Sequence, residues 1–137
     1  MRNCIALRLS TPLLRTRHHP RGRDLTSSGY PDVSWHGSRA WEADWSDESR
    51  LIAVMRSGEL TDGDAGHLYV ALNAHWEANL LQLPGLPDGM RWHVFANTSV
   101  AAPDDVAVPG QEPVLSEQGS ITIGPRAAIV LVGRRPA

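Results

Sequence analysis

The sequence predicts an all-β fold, an antiparallel Greek-key β-sandwich of seven to eight strands preceded by one short N-terminal helix. Three observations predict it. After Tyr30 the apolar residues come in short runs of strand length, separated by turn residues. Almost no helical periodicity follows that position. The length of 137 residues is that of a single domain with one core.

The first element is predicted to be a short helix followed by a linker. An apolar run from Cys4 to Leu9 ends at Ser10-Thr11-Pro12, because the residue before a proline avoids the helical region. From residue 16 to residue 29 the composition changes to Arg, His, Gly, Ser and Pro, which is typical of linkers. We therefore divide the chain into residues 1–29 and a domain over residues 30–137.

The remaining segments are predicted strands. In segment 67–73, Leu68, Val70 and Leu72 share one face while Tyr69 and Ala71 share the other. Segment 78–83 follows after a tight connection, so we expect these two segments to pair as a hairpin. Run 51–55 is short enough for a strand buried on both faces. Connection 97–113 is expected to cross between sheets. The predicted strands are 33–35, 50–56, 67–73, 78–83, 91–96, 114–115, 120–123 and 127–132.

Composition and charge limit the classes of partner and compartment. No stretch approaches eighteen uninterrupted apolar residues, so neither a transmembrane helix nor a membrane partner is expected. The net charge of −2 argues against nucleic acid as a partner. Cys4, the one cysteine, can form neither an internal disulfide nor a thiolate metal site, which permits a reducing compartment. We expect a cytoplasmic location.

The N-terminal segment is strongly basic, with six arginines and no acidic residue in the first 23 positions. We favour a helix and linker whose polar side faces solvent or a neighbouring domain. Arg8 interrupts the apolar run too early for a secretory signal. An organelle transit peptide fits the composition except for its few serines, and a nucleic-acid arm lacks aromatic residues to stack on bases.

Recognisable catalytic, cofactor-binding and metal-binding motifs are absent from the sequence. His18-His19 lacks a paired carboxylate or cysteine at ligand spacing. Asp62-Gly63-Asp64 is interpreted as a turn, because the later Glu of a calcium loop is missing. Three acidic residues before the second strand offer a carboxylate pair for glycoside chemistry, but we interpret them as turn and capping residues: Asp44, Asp47 and Glu48. We therefore expect no catalytic residue, no cofactor and no metal.

Five tryptophans against one phenylalanine are the most unusual feature of the composition. Trp92 lies in a predicted strand and is expected in the core, and Trp35 is expected to be structural with a buried ring. Trp41 and Trp45 lie in a loop and are better candidates for a contact surface, either an interface or a platform for sugar rings.

Three polar residues near turns are also expected to have structural roles. His36 and His75 are interpreted as neutral histidines hydrogen-bonded at turns. Arg50 is expected to be structural.

Several short motifs occur in the order found in one enzyme family. Together they resemble the C-terminal domain of isoamylase-type glycogen and starch debranching enzymes of the α-amylase superfamily. Upstream, Ile5–Arg8 and Thr11–Arg15 resemble the last helix of the catalytic barrel in these enzymes. The motifs of the domain itself are Asp32–Gly37, Asp44–Ser46, Ser49–Ala53, Tyr69–Glu77, Leu83-Pro84, Trp92, Asn97-Thr98 and Pro125-Arg126.

The resemblance implies that this chain is a fragment and that the catalytic groups lie outside it. The family's active site is a (β/α)₈ barrel with a nucleophilic Asp, a general-acid Glu and a second Asp that stabilises the transition state. Residues 1–29 are then the remnant of the last barrel helix plus a basic linker. We expect an accessory domain that stabilises the missing barrel in glycogen and starch metabolism and is inactive alone. Without that barrel, the helix is expected to be detached or only weakly docked.

Two other functions stay open. Trp41, Trp45 and Trp76 lie in loops suited to α-glucan contacts, which predicts a stand-alone glucan-binding module. An exposed barrel-facing patch predicts instead a protein-interaction domain that associates with itself or with another subunit.

Overall fold

The computed structural model describes residues 1–24, 29–58 and 66–135. The predicted turn at Asp62-Gly63-Asp64 lies outside these ranges. None of the helices within them has the length and apolar content needed to span a bilayer. The elements in chain order are α1 (Arg2–Ser10), a 3₁₀ turn (Pro12–Arg15), β1 (Val33–His36), β2 (Leu51–Ser57), β3 (His67–Asn73), β4 (Asn79–Gln82), β5 (Arg91–Asn97), β6 (Ser120–Ile123) and β7 (Ala127–Arg134).

The strands form two antiparallel sheets. The larger sheet has the order β1-β2-β3-β7-β5, and the smaller one pairs β4 with β6. Because β6 of the small sheet lies between β5 and β7 in sequence, connections cross from sheet to sheet, as in Greek-key sandwiches. Val114, in the predicted strand 114–115, forms only an isolated bridge with His93. The predicted antiparallel sandwich with one short N-terminal helix is confirmed, with seven strands in the described residues.

The main hydrophobic core lies between the two sheets. Tyr69 on β3 and Trp92 on β5 enter it from the large sheet, and Leu81 on β4 and Ile123 on β6 enter it from the small sheet. The indole Nε1 of Trp92 donates a hydrogen bond to the carbonyl oxygen of Pro84 (2.9 Å). This bond satisfies the polar atom of a fully buried ring. The predicted core position of Trp92 is confirmed.

The predicted hairpin between segments 67–73 and 78–83 is wrong. Strand β3 pairs with β2 on one side and β7 on the other, so neither of its edges is open to β4. The tight connection from Asn73 to Asn79 instead carries the chain from the large sheet to the small one, where β4 pairs with β6. A short connection is equally compatible with a sheet-to-sheet corner, and the corner forms here because both edges of β3 are occupied.

The N-terminal helix packs on the outer face of the large sheet through one buried side chain, which agrees with the weakly docked alternative of the expectation. Leu7 is buried there, while Ile5 and Leu9 remain exposed. The strands below present an apolar outer face that needs a cover, and each leucine buried in this way contributes about 2 kcal/mol. The cluster contains Leu7, Leu68, Phe95 and Val132, with Leu13, Leu14, Val70, Ala96, Val106, Ala107 and Val130 packed against it.

The basic segment after the 3₁₀ turn is anchored through Asp32. The Asp32 carboxylate accepts hydrogen bonds from the backbone N–H groups of Arg21 (2.9 Å), Gly22 (2.7 Å) and Arg23 (3.1 Å). Desolvation acts to raise the pKa of Asp32, but these backbone donors outweigh it and the pKa is lowered. The segment is thereby tied to the start of β1.

Candidate functional site

The loops at one end of the sandwich carry the three tryptophans singled out from the sequence. Strand pairing places Ala53 opposite His36 and Leu51 opposite Asn73, so the end of β1, the start of β2 and the end of β3 lie together. The connection 37–50 and the corner 74–78 therefore leave the sheet at the same end. Trp41 and Trp45 lie in the first of these segments and Trp76 in the second.

A tight reversal at residues 37–42 positions Trp41. The backbone N–H groups of Gly37 and Glu42 both donate to the carbonyl oxygen of Arg39 (3.3 Å each). A Cβ at Gly37 would lie 2.7 Å from the carbonyl oxygen of Glu42, so only glycine fits. Trp41 itself has a φ of 67°, in the left-handed region that non-glycine residues seldom adopt.

His36 holds this reversal against the core. Its Nδ1 accepts the backbone N–H of Trp41 (2.7 Å), so in the neutral ring the proton is on Nε2, which lies 2.8 Å from the hydroxyl of Ser34. The Trp41 indole covers the imidazole at a centroid distance of 4.7 Å. Burial lowers the pKa of His36 from 6.5 to about 4. The structure thus shows a neutral histidine hydrogen-bonded at a turn.

Asn73 organises the corner between the sheets. Its Nδ2 donates to the carbonyl oxygens of Glu77 and Gly124 (3.0 Å each). Its Oδ1 accepts the backbone N–H of His75 (3.0 Å) and the Nδ2 of Asn79 (3.3 Å). The side chain is buried and all four bonds are at least partly shielded from water. Asn73 therefore fixes the loop that carries Trp76 relative to the turn between β6 and β7.

A cleft of about 180 Å³ lies between the connection 37–50 and this corner. We call it the Asp44 cleft; it is lined by Gly37, Ser38, Asp44, Ser49, Arg50, Leu51, His75 and Asn79. Asp44 Oδ1 accepts the backbone N–H of Ser46 (3.0 Å), in agreement with its predicted role as a turn residue. Arg50 Nη1 donates to the carbonyl oxygens of Asp47 (3.0 Å) and Ser49 (3.3 Å), which supports the start of β2.

The three tryptophans each contact a different aromatic partner. Trp41 lies against His36, and Trp76 stacks on His75 with a centroid distance of 4.3 Å and an interplanar angle of 23°. Trp45 meets Trp35 edge-on at 5.7 Å. Their roles as glucan or interface contacts stay predictions, and within the described residues no ring contact joins one of the three to another.

The outer face of the large sheet is left open beside the helix. Trp35 is 47% exposed and Leu72 is 52% exposed, while Ile52 and Val54 between them are half-buried. We call this apolar surface, together with Trp45 packed on Trp35, the exposed sheet face. Two expectations are corrected, because the Trp35 ring is not buried in the core and the run 51–55 is fully buried on one face only.

No cluster of metal-ligating side chains is found in the described ranges. Among those residues, no group of three or more His, Cys, Asp or Glu side chains is placed to hold a metal ion. What this end offers is a set of exposed aromatic rings, one polar cleft and one apolar sheet face. These features are suited to binding another surface or a ligand.

A family model described as "Isoamylase 1-3, C-terminal" matches residues 34–123. This match covers well over half of the chain, runs from Ser34 in β1 to Ile123 at the end of β6, and includes the Asp44 cleft and the exposed sheet face. The chain belongs to the isoamylase C-terminal domain family.

Three curated isoamylases are similar to this isoamylase domain over part of their length. Isoamylase 1, chloroplastic, of Arabidopsis thaliana is 36% identical over 77 residues, covering 56% of this chain and 9% of that protein. Isoamylase 1, chloroplastic, of Oryza sativa subsp. japonica is 32% identical over 95 residues, covering 67% of this chain and 11% of that protein. Isoamylase SU1, chloroplastic, of Zea mays is 34% identical over 80 residues, covering 57% of this chain and 9% of that protein. The chain spans about a tenth of the length of these relatives.

Sequence reasoning missed two features of this isoamylase domain. Asn73 ends a predicted strand, and nothing in the sequence indicates that its amide joins two connections, the corner 74–78 and the turn between β6 and β7. An exposed barrel-facing patch was expected, but its residues were not identified although their signal is present in the sequence. Ile52, Val54 and Leu72 alternate with core residues, so both faces of β2 and β3 are apolar and one of them needs a further cover.

Proposed function

We propose that this chain is the accessory C-terminal domain of an isoamylase that debranches α-1,6-linked glucan, and that it stabilises the catalytic barrel by docking on it. Membership of the isoamylase C-terminal family supports the parent activity. The curated relatives are far longer than the matched region, which leaves ample chain for a barrel outside it.

The exposed sheet face is the observation that carries this proposal. Contiguous exposed apolar surface is unusual on a monomer and marks sites of protein contact. A β-sheet gains stability when both apolar faces are covered, and the helix covers only one part of the outer face. Trp35 and Trp45 supply the aromatic anchors that dominate the binding energy of many interfaces. We therefore propose that the catalytic barrel of the parent enzyme docks on the part of the outer face that the helix leaves uncovered.

A chimera tests this docking. The C-terminal domain of Arabidopsis thaliana Isoamylase 1 is replaced by this chain, alone or with Leu72→Asp. An unpaired carboxylate inside an apolar interface costs several kcal/mol. We expect Leu72→Asp to lower the Tm of the chimera by about 5 °C or more and to leave the isolated domain nearly unchanged.

Leu80→Asp is the matched control for this substitution. Leu80 is also an exposed leucine, but it lies on β4 of the other sheet. Equal effects of Leu72→Asp and Leu80→Asp on the chimera would refute docking through the exposed sheet face. Self-association through the same face is the alternative prediction, and a dimer of the isolated chain that Leu72→Asp dissociates would favour it.

The finer predictions form part of the same proposal. Residues 1–29 are proposed as the end of the barrel and its linker, and residues 30–137 as the accessory domain. Glycogen or starch is proposed as the substrate of the parent enzyme, in the cytoplasm. The chloroplastic location printed for the relatives is theirs, and microscopy of a tagged full-length parent would decide the compartment.

A further inference from the structure

We propose that the Asp44 cleft is a subsite for one neutral pyranose ring, such as the terminal glucosyl unit of an α-glucan chain. The choice of a glucosyl unit rests on the proposed function. The pyranose class itself rests on the groups that line the cleft and on the Trp76 ring stacked on one of its lining residues, His75.

The cleft holds polar groups in fixed positions with bonding capacity left over. Hydrogen bonds from the side chain and backbone of Ser46 lower the pKa of Asp44, so its carboxylate is ionised and can accept. Arg50 uses Nη1 for two backbone carbonyls, whereas its Nε and Nη2 make no hydrogen bond within the described residues. Asn79 donates through Nδ2 to Asn73 Oδ1 and to the Glu77 carbonyl, which leaves its Oδ1 as an acceptor.

The charges in the cleft favour a neutral ligand. One carboxylate and one guanidinium balance, so Asp44 opposes an anion and Arg50 opposes a cation. A sugar hydroxyl both donates and accepts, and adjacent hydroxyls can therefore bond to a carboxylate and a guanidinium at the same time. The volume of about 180 Å³ is below that of clefts enclosing drug-sized ligands, which suits a single ring.

Trp76 provides a flat apolar surface next to the cleft, which it adjoins through its contact with His75. One side of its indole stacks on His75, a lining residue, and 69% of Trp76 remains exposed. The stacking fixes the orientation of the ring before any ligand arrives, which reduces the entropic cost of binding. The face of an indole is electron-rich and attracts the C–H groups of a pyranose. The other two loop tryptophans are engaged elsewhere, Trp45 with Trp35 and Trp41 with His36.

Titration of the whole 137-residue chain with maltotriose, followed by amide NMR shifts, tests this subsite. We expect millimolar affinity, with shifts at residues 44–50 and 75–79. Trp76→Ala and Asp44→Asn should each weaken binding by about tenfold, and both positions are exposed, so the fold is retained. Trp45→Ala, an equally exposed tryptophan, is the control and should leave the affinity unchanged.

Two results would overturn the subsite. One is the absence of shifts at these residues at millimolar maltotriose. The other is a loss of binding in Trp45→Ala that equals the loss in Trp76→Ala. Either result leaves the chimera experiment intact, because Leu72 and Trp35 lie outside the cleft. A chimera that shows no docking, in turn, does not change the result expected from the maltotriose titration.

Discussion

Replacing Asn73 with alanine is expected to lower the free energy of unfolding by about 3 kcal/mol and the Tm by about 10 °C. The side chain makes four hydrogen bonds from a buried position, to Glu77, Gly124, His75 and Asn79. Alanine removes the partner of two carbonyl oxygens and two N–H donors in a partly buried corner. Urea denaturation followed by tryptophan fluorescence measures the loss.

Asn97→Ala is the matched control for Asn73→Ala. The Asn97 side chain accepts one hydrogen bond, from the backbone N–H of Ser99 (3.0 Å), so its loss is expected to cost about 1 kcal/mol or less. Asn73→Asp keeps the two accepted bonds but cannot donate to Glu77 and Gly124, and it should be at least as destabilising as alanine. If Asn73→Ala lowered the free energy of unfolding no more than Asn97→Ala does, the corner would be held by other contacts.

Lowering the pH from 6.5 towards 4 is expected to remove up to about 3 kcal/mol of stability through His36. The folded protein binds a proton on His36 only near pH 4, whereas the unfolded chain binds it near pH 6.5. Between these pH values the unfolded state binds more protons than the folded state. The fraction of unfolded molecules therefore rises as the pH falls. The contribution of His36 is complete above pH 6.5 and is lost through this window. Burial also lowers the pKa of His67, which adds in the same direction.

Urea denaturation at several pH values, compared with a His36→Gln variant, isolates this contribution. Glutamine can accept from the N–H of Trp41 and donate to Ser34 without titrating, so the stability of the variant should fall less steeply between pH 6.5 and pH 4. NMR titration of the His36 ring in the unaltered chain gives a second measurement. A ring that titrates near pH 6.5 would contradict the buried, neutral state.

Most strand positions could be predicted because they depend on local patterns. The alternation of segment 67–73 and the turn residues around segment 91–96 indicated β3 and β5 to within a residue. Pairing could not be predicted in the same way. A six-residue step from Asn73 to Asn79 fits a hairpin or a corner, and only the occupied edges of β3 exclude the hairpin.

The sequence was sufficient to predict which residues of the candidate site are exposed, but not which of them contact one another. A loop position indicated that Trp41, Trp45 and Trp76 lie at the surface, and all three are exposed. Which ring meets which partner depends on strand register, and Trp35 was expected in the core because its position opposite Val54 on the outer face was unknown. The docking of Leu7 likewise depends on an apolar face assembled from β3, β5 and β7.

Hydroxyl-radical footprinting of the tryptophans tests the central claim, that the exposed sheet face docks on the body of an isoamylase. The labelling of each indole is compared between the free chain and the same chain in the Arabidopsis thaliana Isoamylase 1 chimera. We expect Trp35 and Trp45 to be labelled several times more slowly in the chimera, while Trp76 stays as reactive as in the free chain. Equal labelling of Trp35 and Trp45 in both proteins would contradict the docking.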